Sequence, residues 1–166
     1  MLAQAGTISC PASISNGVTG SIACEYSTAS TQDFLNTDPL TVNADAFFGF
    51  SDWIFGGKIG VNAGYSGTGT GMSGTWGIPS LDGDVMLVFK SGNGTTVVGY
   101  LLADDTFGGS WESPFENPPF LTIPNTKNVS HISVYLRDSG EIPEPAPLAL
   151  LAIGLMACSL LRSRHS

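Results

Sequence analysis

The chain has 166 residues, and its fourteen acidic and six basic residues give a formal net charge of −8. This length corresponds to about one domain with a hydrophobic core of its own. All fourteen acidic residues but only four basic ones precede Pro145, so that part of the chain carries a charge of −10. Because such a charge repels phosphate groups, nucleic acid is not an expected partner. Abundant glycine and hydroxyl residues, with only 12% charged residues, are typical of an all-β extracellular module.

The first five residues, MLAQA, contain a pattern that signal peptidase recognises. Ala3, Gln4 and Ala5 form the small-x-small sequence that precedes a cleavage site, here before Gly6. The basic and apolar regions of a complete signal peptide do not precede this pattern. We interpret residues 1–5 as the remnant of a signal peptide, and the alternative is an ordinary N-terminus that contains alanines.

Cys10 and Cys24 enclose a segment with two turn signals, SNG and TG, between short apolar runs. The segment is therefore able to fold back as a hairpin and bring the two thiols together. We predict a disulfide, which persists only in an oxidising compartment. A metal site is the weaker alternative, because the chain has no CxxC motif and its histidines, His131 and His165, are distant. Cys158 lies in an apolar tail and is expected to act as a small hydrophobic residue there.

Three runs of β-branched and aromatic residues have the length of strands, at residues 84–91, 95–103 and 129–137. Between the first two lies the sequence GNG at residues 92–94. It predicts a β-hairpin, because Asn and Gly accept positive φ at little steric cost.

The polarity of these runs predicts how deeply each is buried. Residues 86–89, MLVF, are apolar on both faces, which predicts a central strand between two packed sheets. In the run at residues 129–137, apolar and polar side chains alternate, so we expect a strand with one buried and one solvated face. The apolar set is Ile132, Val134 and Leu136, and the polar set is Ser133, Tyr135 and Arg137.

Two shorter runs share a tryptophan that follows Gly and a hydroxyl residue, at residues 73–78 (SGTWGI) and 108–115 (GGSWESPF). We predict that both indoles are core anchors of a β-sandwich. Four prolines follow the second tryptophan and indicate a loop or an edge strand there. Residues 6–138 are therefore predicted to form an antiparallel, jelly-roll-like β-sandwich.

Few residues of this body point to chemistry. His131 has no nucleophile motif beside it and is expected to be an ordinary strand residue. Asp82, Asp84, Asp104 and Asp105 lie at strand ends, where aspartate commonly forms turns. The alternatives for these acids are a pair of glycosidase carboxylates or a calcium site. We predict no catalytic residue, no metal site and no cofactor.

The segment at residues 66–75, SGTGTGMSGT, lacks the lysine of a phosphate-binding loop, so we expect a flexible loop. Thr68 and Thr70 have the two-residue spacing that places hydroxyl groups on one face of a strand. A repeated array of this kind binds ice or sugars, and here the pattern occurs as a single copy.

The last part of the chain has three features in order. Residues 139–147 form a proline-rich spacer that contains Pro143, Glu144 and Pro145. Residues 148–161 form an apolar run that, as a helix, would rise about 21 Å, short of a bilayer core of about 30 Å. Arg162 and Arg164 then lie in a basic tail at residues 162–166, and arginines in this position stop transfer on the cytoplasmic side. We predict a transmembrane helix, and the alternative is a hydrophobic helix packed in the core.

This order of a Pro-Glu-Pro tripeptide, an apolar helix and terminal arginines resembles the PEP-CTERM sorting signal of Gram-negative bacteria. The resemblance covers residues 141–166, and the body is more loosely similar to short proteins that carry this signal. It implies an exosortase as the processing partner, transient anchoring in the inner membrane, and removal of the tail before the protein reaches the cell surface. It also implies association with an exopolysaccharide or biofilm matrix.

We therefore expect an exported surface or matrix protein that is a substrate and not an enzyme. The alternative is a carbohydrate-binding or ice-binding β-sandwich with the same tail. A secreted hydrolase is the third hypothesis.

Overall fold

A computed structural model describes residues 6–92, 95–116, 118–120 and 126–138 of the chain. Within these residues the protein is mostly β, with antiparallel sheets and few, short helices. This confirms the predicted fold class at the level of an all-β, sandwich-like body.

In order along the chain, the elements are β1 (Thr7–Ser9), α1 (Ala12–Ser15), β2 (Ser21–Ser27), α2 (Thr41–Ala44), a 3-10 turn (Phe47–Gly49), β3 (Ile54–Lys58), β4 (Ser66–Gly67), β5 (Ser73–Gly77), β6 (Asp84–Lys90), β7 (Val98–Leu102), β8 (Gly108–Glu112) and β9 (His131–Arg137). The longest connections along the chain lie between β2 and β3, at residues 28–53, and between β8 and β9, at residues 113–130.

The larger sheet has six strands in the order β1-β2-β7-β6-β9-β3, and every pair is antiparallel. Strands β6 and β7 form the predicted hairpin, with Met86 opposite Leu101 and Phe89 opposite Val98. Residues 93 and 94, at its predicted turn, lie outside the described residues. Strand β6 is central and all but its first residue are buried, as its apolar run predicted.

The smaller sheet has three strands in the order β4-β5-β8 and packs on one face of the larger one. The two sequences that share a tryptophan are neighbours here, because β5 pairs with β8. Trp76 and Trp111 are 3% and 1% exposed, so both are core residues as expected. The division into six and three strands differs from a jelly roll, which distributes eight strands over two sheets.

The opposite face of the larger sheet is covered by the connection between β2 and β3, residues 28–53. Its side chains Val42, Phe47 and Trp53 are buried against Met86 and Tyr135 of the sheet. Strand β6 therefore lies between one sheet and a folded connection, not between two sheets.

The half-buried character predicted for the run at residues 129–137 is wrong. Ser133 and Tyr135, which were assigned to the solvated face, are completely buried beneath this connection. Asp33 in the connection accepts hydrogen bonds from both hydroxyls, at 2.7 Å from Ser133 and 2.6 Å from Tyr135. The polar side chains on this face thus bind the layer that covers them, which alternation of polarity alone does not reveal.

Arg137, the last residue of β9, binds the end of the connection between β2 and β3. Its guanidinium donates to Asp52 at 2.7 Å and to Asp84 at 2.5 Å. The same group lies 3.7 Å above the centre of the Phe50 ring. Asp84, one of the four acids singled out in the sequence, is therefore a structural partner of an arginine.

The predicted spacer at 139–147, the apolar run at 148–161 and the basic tail at 162–166 lie outside the described residues, as do residues 1–5. The helices that the structure does describe are all too short and insufficiently apolar to cross a membrane.

Candidate functional site

A recess of about 250 Å³ lies where three segments meet, and we call it the threonine recess. Residues 59–61 follow β3, residues 67–70 lie at and after the end of β4, and Ser130 and His131 lie at the start of β9. Thr68 and Thr70, which the sequence singled out, both line it and both are exposed. The two threonines therefore line the same recess as His131, which lies 61 residues or more further along the chain.

Glycines in residues 66–75 allow the backbone to approach its neighbours closely. A Cβ atom on Gly69 would lie 2.4 Å from the carbonyl oxygen of Ile59. Gly67 has a φ of +113°, and a Cβ atom there would lie 2.2 Å from the Thr75 carbonyl oxygen. Residues 66–67 and 73–75 of this segment thus belong to strands of the small sheet, where we had expected a loop throughout, and residues 68–72 connect the two strands.

The hydrogen bonds around His131 determine its tautomer. The Ser130 hydroxyl donates its one proton to the Lys90 carbonyl oxygen at 2.8 Å. Its contact with Nδ1 of His131, at 3.3 Å, therefore requires Nδ1 to be the donor. Nε2 is then an acceptor, and this atom is buried away from solvent with no hydrogen-bond partner among the described residues. Because the serine proton is already donated to a carbonyl, Ser130 and His131 do not form a nucleophile-base pair.

The surroundings of His131 favour its neutral form. Burial lowers the pKa of His131, and the nearby charges of Lys58 and Lys90 lower it further, while Asp33 opposes them. The imidazole is therefore neutral at pH 7, and Nε2 remains an acceptor.

The outer face of the small sheet adds a row of hydroxyl groups next to the recess. Thr68 donates its backbone N–H to the carbonyl of Thr75, and Thr75 lies opposite Ser110 in the β5–β8 register. The Ser110 hydroxyl is 2.8 Å from that of Thr19. All four side chains are exposed. Sequence analysis missed this row because Thr19 and Ser110 are 91 residues apart.

The acids singled out in the sequence separate into two groups. Asp82, Asp104 and Asp105 line a second, open cleft of about 330 Å³, whereas Asp84 binds Arg137. In the part of the chain that the structure describes, no three His, Cys, Asp or Glu side chains are arranged to hold a metal ion.

A buried lysine, which the sequence did not single out, closes the hairpin between β6 and β7. Lys90 is 2% exposed, and its Nζ donates to the carbonyl oxygens of Ser91 and Thr95 at 2.7 and 3.0 Å. Burial and, to a lesser degree, the charge of Lys127 lower the pKa of Lys90 to about 8, while Asp33 opposes them. This lysine is satisfied by the loop beside it, which indicates a structural role.

Cys10 and Cys24 are joined by a disulfide, with their Cα atoms 5.3 Å apart. Cys10 lies between β1 and α1, and Cys24 lies in β2. Strands β1 and β2 pair with each other at one edge of the larger sheet. The predicted sorting residues Pro143, Glu144 and Pro145 and the arginines Arg162 and Arg164 lie outside the described residues.

Comparison with protein-family models, with curated proteins and with solved structures finds no match to this chain.

Proposed function

We propose that this chain is an exported surface or extracellular-matrix protein that an exosortase sorts through its C-terminal tail. One observation carries the proposal: Pro143-Glu144-Pro145, the apolar run at 148–161 and the arginines at 162 and 164 occur in this order at the end of the chain. Each feature alone is common, but together they form a recognition element, a membrane segment and a stop-transfer signal.

The disulfide supports export. A bond between Cys10 and Cys24 persists in oxidising compartments such as the periplasm and the extracellular space, and it is rare in a reducing cytosol. The body also carries few charges and a sheet face rich in hydroxyl groups, as expected for a protein that functions among polysaccharides.

The proposal assigns the protein no reaction of its own. The Ser130–His131 pair lacks a free serine proton, and Asp84 is engaged by Arg137. The protein is thus a substrate and a component, whose partners are the exosortase, the inner membrane before processing, and an exopolysaccharide afterwards. Turnover of a polysaccharide by the purified chain, lost on Asp82→Asn, Asp104→Asn or Asp105→Asn, would contradict this assignment.

The test of sorting is the intact mass of the protein in surface and inner-membrane fractions, with and without the host exosortase. Replacing Pro143, Glu144 and Pro145 with alanine is expected to leave membrane insertion intact and to abolish processing. Replacing the adjacent Ser139, Gly140 and Glu141 with alanine is the matched control. A surface species that still ends at Ser166, or normal processing of the first variant, would show that the tail is a plain membrane anchor.

The alternative function is a carbohydrate-binding or ice-binding module with the same tail. The threonine recess favours a carbohydrate over ice, because Thr68 and Thr70 line a concave site and ice requires a flat, repeated array. Retention on polysaccharide, without thermal hysteresis, is the expected result of a direct comparison.

A further inference from the structure

We propose that the threonine recess binds one sugar unit of a neutral, hydroxyl-rich polysaccharide, and that Thr68 and Thr70 recognise its hydroxyl groups. The inference rests on the proposed function in one respect: a matrix protein has such a polymer as its neighbour.

The size of the recess limits the ligand to about one ring. Its volume is about 250 Å³. Pockets for drug-sized ligands begin at about 300 Å³, so an oligosaccharide would not be enclosed. One unit of a longer chain fits this volume, with the rest of the polymer on the protein surface.

The hydrogen-bonding groups match a sugar. The hydroxyls of Thr68 and Thr70 both donate and accept, as the hydroxyl groups of a sugar do. Ser130 and His131 complete the lining on the side of β9.

The lining favours a neutral ligand. The described residues that line the recess carry no carboxylate, ammonium or guanidinium group. An anionic sugar would have no oppositely charged partner among these lining residues, and it would approach a protein of net charge −8. Val61, which is 74% exposed, offers an apolar surface for the C–H face of a neutral ring.

The row of hydroxyls on the small sheet gives the rest of the polymer a place to lie. From Thr68 at the recess, Thr75, Ser110 and Thr19 follow one another across the strands. Neighbouring strands are about 4.8 Å apart, so the hydroxyls recur at a spacing on the scale of a sugar ring. This row is therefore expected to add contacts for longer chains.

The test measures binding of the purified full chain to three neutral probes, the hexasaccharides of glucose, mannose and galactose, by calorimetry. A hexasaccharide of galacturonic acid serves as the anionic comparison. We expect at least one neutral probe to bind and the anionic probe not to bind. Thr68→Val and Thr70→Val are each expected to weaken binding about fivefold or more, whereas the matched control Thr31→Val, an exposed threonine elsewhere, leaves it unchanged.

Three outcomes would overturn the proposal: no binding of any neutral probe, equal binding of the anionic probe, or unchanged binding by both threonine variants in chains that melt at the normal temperature. None of these results depends on processing of the tail, so failure here and failure of the sorting proposal are separate findings.

Discussion

The Phe89 ring of the larger sheet and the Trp111 indole of the smaller sheet meet edge to face, with their centroids 5.7 Å apart. This contact joins the two layers, and Trp111 also donates from Nε1 to the Thr68 carbonyl at 2.8 Å. The packing of the core is thus connected directly to the residue at the edge of the threonine recess.

We predict that Trp111→Phe destabilises the protein more than Trp76→Phe does. Both changes remove a similar volume from the core, but only Trp111 has a partner for its indole N–H among the described residues. The difference in the free energy of unfolding should be about 1 kcal/mol, the net value of one hydrogen bond. Urea unfolding of the two variants measures it, and an equal or larger loss in Trp76→Phe would contradict the role of the bond.

Removing the disulfide should lower the free energy of unfolding by about 3 kcal/mol. The bridge connects residues 14 positions apart and constrains the unfolded chain, so the Cys10→Ser, Cys24→Ser double variant is expected to unfold at lower denaturant concentration. Non-reducing peptide mapping of protein from the cell exterior should show the two cysteines linked. Cys158→Ser is the control and should change neither result; free thiols at positions 10 and 24 would remove this prediction and weaken the argument for export.

Stability should rise with pH between about 8 and 10 because of Lys90. Burial and Lys127 lower its pKa to about 8 from an ordinary value of 10.5, so in this window the unfolded chain binds a proton that the folded chain lacks. Above pH 10 the effect reverses, since burial raises the pKa of Tyr100 and Tyr135 and the folded chain keeps their protons.

The measurement is the free energy of unfolding at a series of pH values for the unaltered chain and for Lys90→Met. The rise between pH 8 and 10 should be absent in Lys90→Met and retained in Lys58→Met, which changes a lysine on β3. An identical rise in all three proteins would show that Lys90 is not its source.

Gly69→Ala should disturb the recess. A Cβ atom there would lie 2.4 Å from the Ile59 carbonyl oxygen, so the backbone of one segment must shift, at a cost of at least about 1 kcal/mol. Gly92→Ala is the matched control, because a Cβ atom on Gly92 meets nothing within 4 Å. Thermal unfolding compares the two, and a normal melting temperature for Gly69→Ala would show that the recess tolerates the shift.

The local pattern of apolar residues was sufficient to predict the strands that contribute most of the core. The apolar runs fixed β6, β7 and β9 within a few residues, and the GNG sequence between the first two correctly indicated that they pair as a hairpin. The pairing of Cys10 with Cys24 also followed from turn residues nearby in sequence. These features depend on side-chain periodicity and short-range turns, which the order of residues contains directly.

Only the tertiary structure determined what covers each face and which distant residues meet. The burial of Ser133 and Tyr135 depends on Asp33, about 100 residues away, which gives their hydroxyls a partner inside the protein. The same holds for the recess, which Thr68 and Thr70 line together with His131 because Gly69 allows their segment to lie directly on Ile59. Polarity shows which side chains need a partner, whereas long-range packing decides whether that partner is water, another segment or a ligand.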